Sequence, residues 1–244
     1  GVMGLHSFLQ KKSIPLESVM SKSWNNKIFK NIQDGVDQAS KKLSDERGPC
    51  PDAQEYGFKE RFSNKTAIAP TASISIICGG ASPGVEPVAA NSYTHKTLSG
   101  SYNVQNKYLK KVLEKYGKNN EEVWSSITTN QGSVTHLDFL TKNEKDVFKT
   151  AFEIDQRWII ELGADRTPYI SQAQSINIFL PADVHKKDLH QIHFQAWKKG
   201  LKSLYYCRSK SIQRAENINN NLSTNVTKNE SNESKDYEEC LSCQ

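Results

Sequence analysis

Three groups of residues have types and spacings that could do chemistry. The first is Cys240 and Cys243, a C-x-x-C motif that closes the chain ahead of Gln244. A structural zinc site would need two further ligands nearby, and the last 25 residues hold no other Cys and no His. Two thiols this close form a disulfide readily and can exchange it with another dithiol, so the pair suits mobile redox chemistry. The alternative is a chance pair on a frayed end. The second group is Tyr205 and Tyr206. Stacked phenols can pass a hole by proton-coupled electron transfer. Neighbouring strand residues point to opposite faces, however, so stacking would require a local distortion. Pattern alone favours one ring in the core and one at an interface. The third is Pro70-Thr71-Ala72-Ser73, where small and hydroxylic residues let backbone N–H groups approach an anion. A helix starting just beyond would favour a phosphate there. Pattern alone favours simple tight packing.

Other candidates carry less. His185, His190 and His193 fall on one predicted helix, with His190 and His193 at i,i+3. No carboxylate-rich or cysteine-rich set stands beside them, so they read as solvated or packing residues and no metal site is predicted. Lys11-Lys12, Lys110-Lys111 and Lys198-Lys199 are short basic pairs that read as solvated faces, not a nucleic-acid track.

The elements that must position these residues follow from periodicity. Ile28, Ile32, Val36, Ala39 and Leu43 form a helical stripe in a helix predicted from Leu16 to Arg47, stopped by Gly48-Pro49. Residues 66–78, TAIAPTASISIIC, read as a buried strand broken by Pro70, and GGASPGVEP supplies turn chemistry. A second helix is predicted from Val104 to Tyr116. Thr141 and Glu144 form a capping box that should start a helix running through Leu162. Ala173–Leu180, AQSINIFL, reads as a strand. A helix from Val184 to Lys199 should end at Gly200, followed by LKSLYYC as a short strand. Helices alternating with short apolar strands predict an α/β fold.

The chain has 244 residues, 32 Lys+Arg against 27 Asp+Glu, 36% hydrophobic and 24% charged residues. This excludes a fibrous repeat and a disulfide-dense mini-protein. No apolar run approaches the roughly 20 residues that span a bilayer. The start, GVMGLHSF, lacks a secretory pattern, and Leu5 stands where myristoylation wants Ser or Thr, so a cytoplasmic location and no membrane partner are expected. The net charge of +5 is mixed in sign and predicts no direct nucleic-acid partner. Cys50, Cys78 and Cys207 are scattered and do not form a disulfide framework with the terminal pair. From Asn217 the composition turns to Asn, Ser, Glu and Lys. The expected organisation is therefore one domain over 1–216 and a disordered tail over 217–244.

APTASISIICGGASPGVEP, GLKSLYYCRSKS and the terminal CLSCQ, in this order, resemble the carboxy-terminal part of the large subunit of class I (aerobic) ribonucleoside-diphosphate reductase. SNKTAIAPTASIS, TAFEIDQRWIIELGADRTPYISQAQSINIFLPADV and GVMGLHSF fit the same family. The resemblance implies the later half of a ten-stranded α/β barrel with a tail. It implies that Pro70, Thr71, Ala72, Ser73 and Ile74 hold the substrate diphosphate. It implies that Tyr205 and Tyr206 relay a radical from the small subunit, and that Cys240 and Cys243 reduce the active-site disulfide after each turnover. In the family a finger-loop cysteine becomes a thiyl radical and removes the ribose 3′ hydrogen. The 2′ hydroxyl then leaves, and a cysteine pair supplies the electrons. That finger-loop cysteine and the internal pair are not recognisable here, nor is the effector-binding region. The resemblance therefore implies a fragment or one product of a split large subunit, active only with an amino-terminal complement. The implied partners are that complement, the small radical-generating subunit, thioredoxin or glutaredoxin, and a ribonucleoside diphosphate. No cofactor is expected on this chain; the metal-radical cofactor would lie in the small subunit, and nucleotide effectors would bind the amino-terminal region. The alternative is a non-catalytic remnant or binding module that holds small subunit or nucleotide.

Overall fold

A computed structural model describes residues 2–97 and 100–209. Helices α1 (Leu5–Lys11), α2 (Val19–Arg47), α3 (Pro51–Glu55) and α4 (Ala72–Ile77) come first, then a hairpin of β1 (Ser92–Thr97) and β2 (Gly100–Gln105). Helices α5 (Lys107–Lys115), α6 (Glu121–Thr129), α7 (Lys142–Val147) and α8 (Gln156–Arg166) follow. Then come β3 (Ile178–Leu180), α9 (Lys186–Lys198) and β4 (Cys207–Ser209). The redox pair Cys240 and Cys243 and the tail over 217–244 lie outside the described residues.

The α/β reading holds, in an open form. β3 and β4 pair in parallel with Ile178 opposite Cys207 and Leu180 opposite Ser209, and α9 makes the crossover between them. Ile68 adds a parallel bridge to Gln174, its N–H donating to the Ala173 carbonyl at 3.2 Å. Residues near 68, 174–180 and 207–209 thus form one short parallel layer. Ile176, Ile178, Phe179 and Leu180 are all buried, as expected of a strand covered on both faces. No closed barrel forms among the described residues.

Helices cover this layer because their apolar stripes have nowhere else to go. Ser18 caps α2 by accepting the Ser21 N–H at 3.1 Å, and Asn25 in the same helix donates to the Leu162 carbonyl of α8 at 3.0 Å. On α8, a Cβ on Gly163 would stand 2.8 Å from Ile176 Cδ1, so the missing side chain lets the helix sit directly on the strand. Leu9, Leu16, Ile159, Ile160, Ile176, Ile178 and Ile192 form the main core. A separate cluster around Leu109, Leu113, Trp124, Ile127 and Phe148 joins α5, α6 and α7.

Four expectations need correction. The strand predicted over 66–78 reduces to the bridge at Ile68, and its second half is helix α4. Pro70 cannot donate to a ladder, Thr71 turns the chain at φ 53°, and the Ser75 hydroxyl donates back to the Ala72 carbonyl at 2.6 Å. The helix predicted from Thr141 to Leu162 is two helices. The capping box at Thr141 and Glu144 is present, but Asp155 opens a new helix by accepting the Arg157 N–H at 3.0 Å. The break is needed because Val147 and Phe148 serve the separate cluster while Ile159 and Ile160 serve the main core. LKSLYYC is not a strand throughout: β4 begins at Cys207, after both tyrosines. The hairpin was not anticipated, and Val104 lies in β2 rather than in the helix that follows.

Candidate functional site

A cleft of about 570 Å³ opens beside the parallel layer and is lined by Phe179 of β3 and by Arg208 and Ser209 of β4. Its lining brings two of the three sequence-predicted groups together: Pro70, Thr71, Ala72, Ser73 and Ile74 on one wall, and Tyr205 on the other. The volume suits a nucleotide-sized ligand.

The first wall is made by a turn running into α4. Ser75 N–H returns to the Thr71 carbonyl at 2.9 Å, so the N–H groups of Ala72, Ser73 and Ile74 precede the first intrahelical bond. The Thr71 hydroxyl accepts the Gly84 N–H at 2.7 Å and keeps its own proton to donate. Gly84 permits this close approach. Its φ is +46°, and a Cβ there would meet the Ala69 carbonyl at 3.0 Å.

Residues 82–88 hang on α1. Ser7 and Ser82 exchange backbone-to-hydroxyl bonds at 3.1 and 2.8 Å, and Val88 N–H donates to His6 Nδ1 at 3.1 Å. Burial pushes the His6 imidazole down to about 4, against the opposing pull of the Val147 carbonyl.

The second wall carries the tyrosines. Their ring centroids stand 4.1 Å apart at 51°, and their phenol oxygens are 3.4 Å apart. Both rings therefore lie on one side of the chain, and the distortion that this requires is visible. Tyr205 N–H donates to the Ile176 carbonyl at 2.8 Å, and the next N–H, of Tyr206, donates to the Asn177 side-chain oxygen at 3.0 Å. In a regular strand consecutive N–H groups point to opposite edges. Asn177 in turn gives its backbone and side-chain N–H groups to Glu86 at 3.0 and 3.1 Å. Glu86 and Asn177 are 6% and 3% exposed and line the cleft. Burial pushes the Glu86 carboxyl up, opposed by the Asn177 bonds and the charges of Arg208 and Arg166. Arg208 also lines the cleft, its guanidinium carbon 5.7 Å from the Tyr206 ring centroid. Phe152 and Phe179, edge to face at 5.4 Å, complete the apolar side.

Glu86, Asn177 and Arg208 were not singled out in the sequence. The readable signals were a Glu between Val85 and Pro87 in turn chemistry and a lone Asn inside the apolar run SINIFL. The histidines of α9 have ordinary work. His185 caps the helix by accepting the Lys187 N–H at 3.1 Å, His193 Nδ1 lies 2.8 Å from the Leu189 carbonyl, and His190 stacks on Phe194. Cys78 and Cys207 are exposed thiols, and Cys50 is half-buried.

The profile of the family described as "Ribonucleotide reductase, barrel domain" matches residues 1–61 and 51–207. The chain is 48% identical over 225 residues to the ribonucleoside-diphosphate reductase large subunit of Invertebrate iridescent virus 6, covering 91% of this chain and 23% of that protein. It is 43% identical to the corresponding large subunit of Invertebrate iridescent virus 3, covering 94% of this chain and 37% of that one. Among solved structures, the class Id ribonucleotide reductase alpha subunit of Actinobacillus ureae superposes with a TM-score of 0.80 at 41% identity, over 86% of this chain and 38% of that chain. The chain thus spans less than two fifths of the length of these relatives.

Proposed function

The chain belongs to the ribonucleotide reductase barrel-domain family, and from that premise we propose that it supplies the diphosphate wall and the radical-relay tyrosines of a ribonucleoside-diphosphate reductase large subunit. The observation that carries this reading is the cleft itself, which sets Pro70–Ile74 opposite Tyr205, with the Tyr206 ring in contact with it at 4.1 Å. The reaction replaces a ribose C2′–OH by C2′–H. The hydroxyl leaves as water, and two electrons and two protons come from a dithiol that becomes a disulfide.

In this reading the N–H groups of Ala72, Ser73 and Ile74 and the hydroxyls of Thr71 and Ser73 hold the diphosphate. The site needs no lysine, because orphan N–H groups at a helix start carry partial positive charge. Tyr205 and Tyr206 pass a hole between rings, each losing its phenolic proton with the electron and regaining both. The finger-loop cysteine that forms the thiyl radical comes from an amino-terminal part of the large subunit. The small subunit generates the radical with its own metal centre. Cys240 and Cys243 return electrons to the active site and are recharged by thioredoxin or glutaredoxin. The amino-terminal complement also covers the apolar surface left open here, including Ile74, Ile76 and Ile77 on α4.

The test is reconstitution. The assembled reductase containing this chain, given small subunit, dithiol and a ribonucleoside diphosphate, forms the deoxyribonucleotide. Tyr205→Phe abolishes that turnover while the diphosphate still binds. A Tyr205→Phe enzyme with full activity overturns the relay assignment.

A further inference from the structure

Hydrogen bonding around the tyrosine pair carries one step more. Two successive N–H groups, those of Tyr205 and Tyr206, reach the same neighbouring strand. The second acceptor is the side chain of Asn177, not a backbone carbonyl. The ladder resumes at once, with Ile178 N–H donating to the Tyr206 carbonyl at 2.9 Å. The peptide between the two tyrosines is thereby turned out of strand geometry, and both rings fall on one side.

Asn177 can serve because it is a donor and an acceptor at once. Both Glu86 carboxyl oxygens accept N–H groups from Asn177, so Glu86 fixes which end of the amide faces it. The Nδ2 donors turn to Glu86, and Oδ1 is left for Tyr206. Glu86 is itself set by residues 82–88, anchored through Ser82 and Val88 to α1.

We infer that Asn177, oriented by Glu86, is a positioning residue for the tyrosine pair, and that the Glu86–Asn177 amide clamp keeps the two phenols in relay contact. This rests on the relay reading and names what the relay geometry depends on. Neither residue needs to touch the substrate to act.

Polarity gives the test. Asn177→Ala removes the acceptor. Glu86→Gln sets an amide NH₂ against the Asn177 NH₂. Asn177→Asp sets one buried carboxylate against another. The double variant Glu86→Gln/Asn177→Asp restores every bond with one of them reversed: Gln donates to Asp, accepts its N–H, and leaves Asp Oδ1 for Tyr206. In the assembled reductase each single variant lowers kcat by roughly tenfold to a hundredfold, the scale of a misplacement of about 1 Å. The dissociation constant for a ribonucleoside diphosphate stays within about threefold, and the double variant recovers most of the lost kcat. Crystals of Asn177→Ala show the rings parted from their 4.1 Å stack.

Rings still stacked in Asn177→Ala, with kcat unchanged, overturn the clamp. A Glu86→Gln enzyme impaired only in substrate affinity, with Asn177→Ala unaffected, also overturns it and makes Glu86 a substrate ligand. Tyr205→Phe is measured in parallel. If it retains turnover while Asn177→Ala still parts the rings, the relay reading fails and the clamp's structural role survives.

Discussion

The wall formed by Pro70–Ile74 offers backbone donors, whereas the wall formed by Tyr205 and Tyr206 depends on the side-chain amide of Asn177. On the first wall the side chains mainly stay out of the way, so the geometry is set by φ angles and by how closely Gly84 approaches. On the second, one side-chain oxygen replaces a ladder carbonyl. A wall built from backbone should tolerate loss of a hydroxyl and fail when a Cβ is added. A wall built on a side-chain bond should fail when single atoms are exchanged.

The largest expected effect separates the walls cleanly. Tyr206→Phe abolishes turnover by the assembled reductase but leaves diphosphate affinity unchanged, measured by equilibrium binding; a parallel loss of affinity would merge the two walls. Acidification should strike both together, because His6 holds the segment they share. Its unfolded imidazole takes a proton near 6.5, but the folded one only near 4. Stability is therefore fully present above pH 6.5 and is lost as pH falls toward 4, by up to about 3 kcal/mol. Denaturant titrations at pH 7.5 and 4.5 should show this loss, and His6→Gln should flatten it.

Gly84→Ala places a Cβ 3.0 Å from the Ala69 carbonyl at a φ of +46°, a strain of about 1–3 kcal/mol. Diphosphate affinity should fall about tenfold while the tyrosine stack persists, seen in binding isotherms and a crystal structure. Ser73→Ala is the mildest change. It removes one neutral hydrogen bond, about 0.5–1.5 kcal/mol, and should weaken diphosphate binding only a few-fold. A loss as large as that of Gly84→Ala would mean that side chains, not backbone, hold the anion.

Much of this is legible in the sequence. The helix ending at Arg47, the Thr141 capping box and the late helix of Lys186–Lys198 follow from periodicity and caps. The α4 helix was not legible, because Ile74, Ile76 and Ile77 look like strand residues and tertiary placement overrode propensity. The break before Gln156 was hidden for a related reason: periodicity shows an apolar face but not that two clusters divide it. The tyrosine distortion could be named as a requirement but not located. Its cause is Asn177, 29 positions away, acting with Glu86 a further 91 positions upstream.

Residues 82–88 meet α1 through Ser82 and Val88, the Pro70–Ile74 turn through Gly84, and Asn177, just before β3, through Glu86. A bracket fastened at that many points leaves little room for redesign. Attempts to reshape the cleft for other ligands should start from Phe152 and Ala89, which line it without carrying the bracket's hydrogen-bonded side chains. Enlarging the opening there would change what fits inside while leaving the fastenings intact.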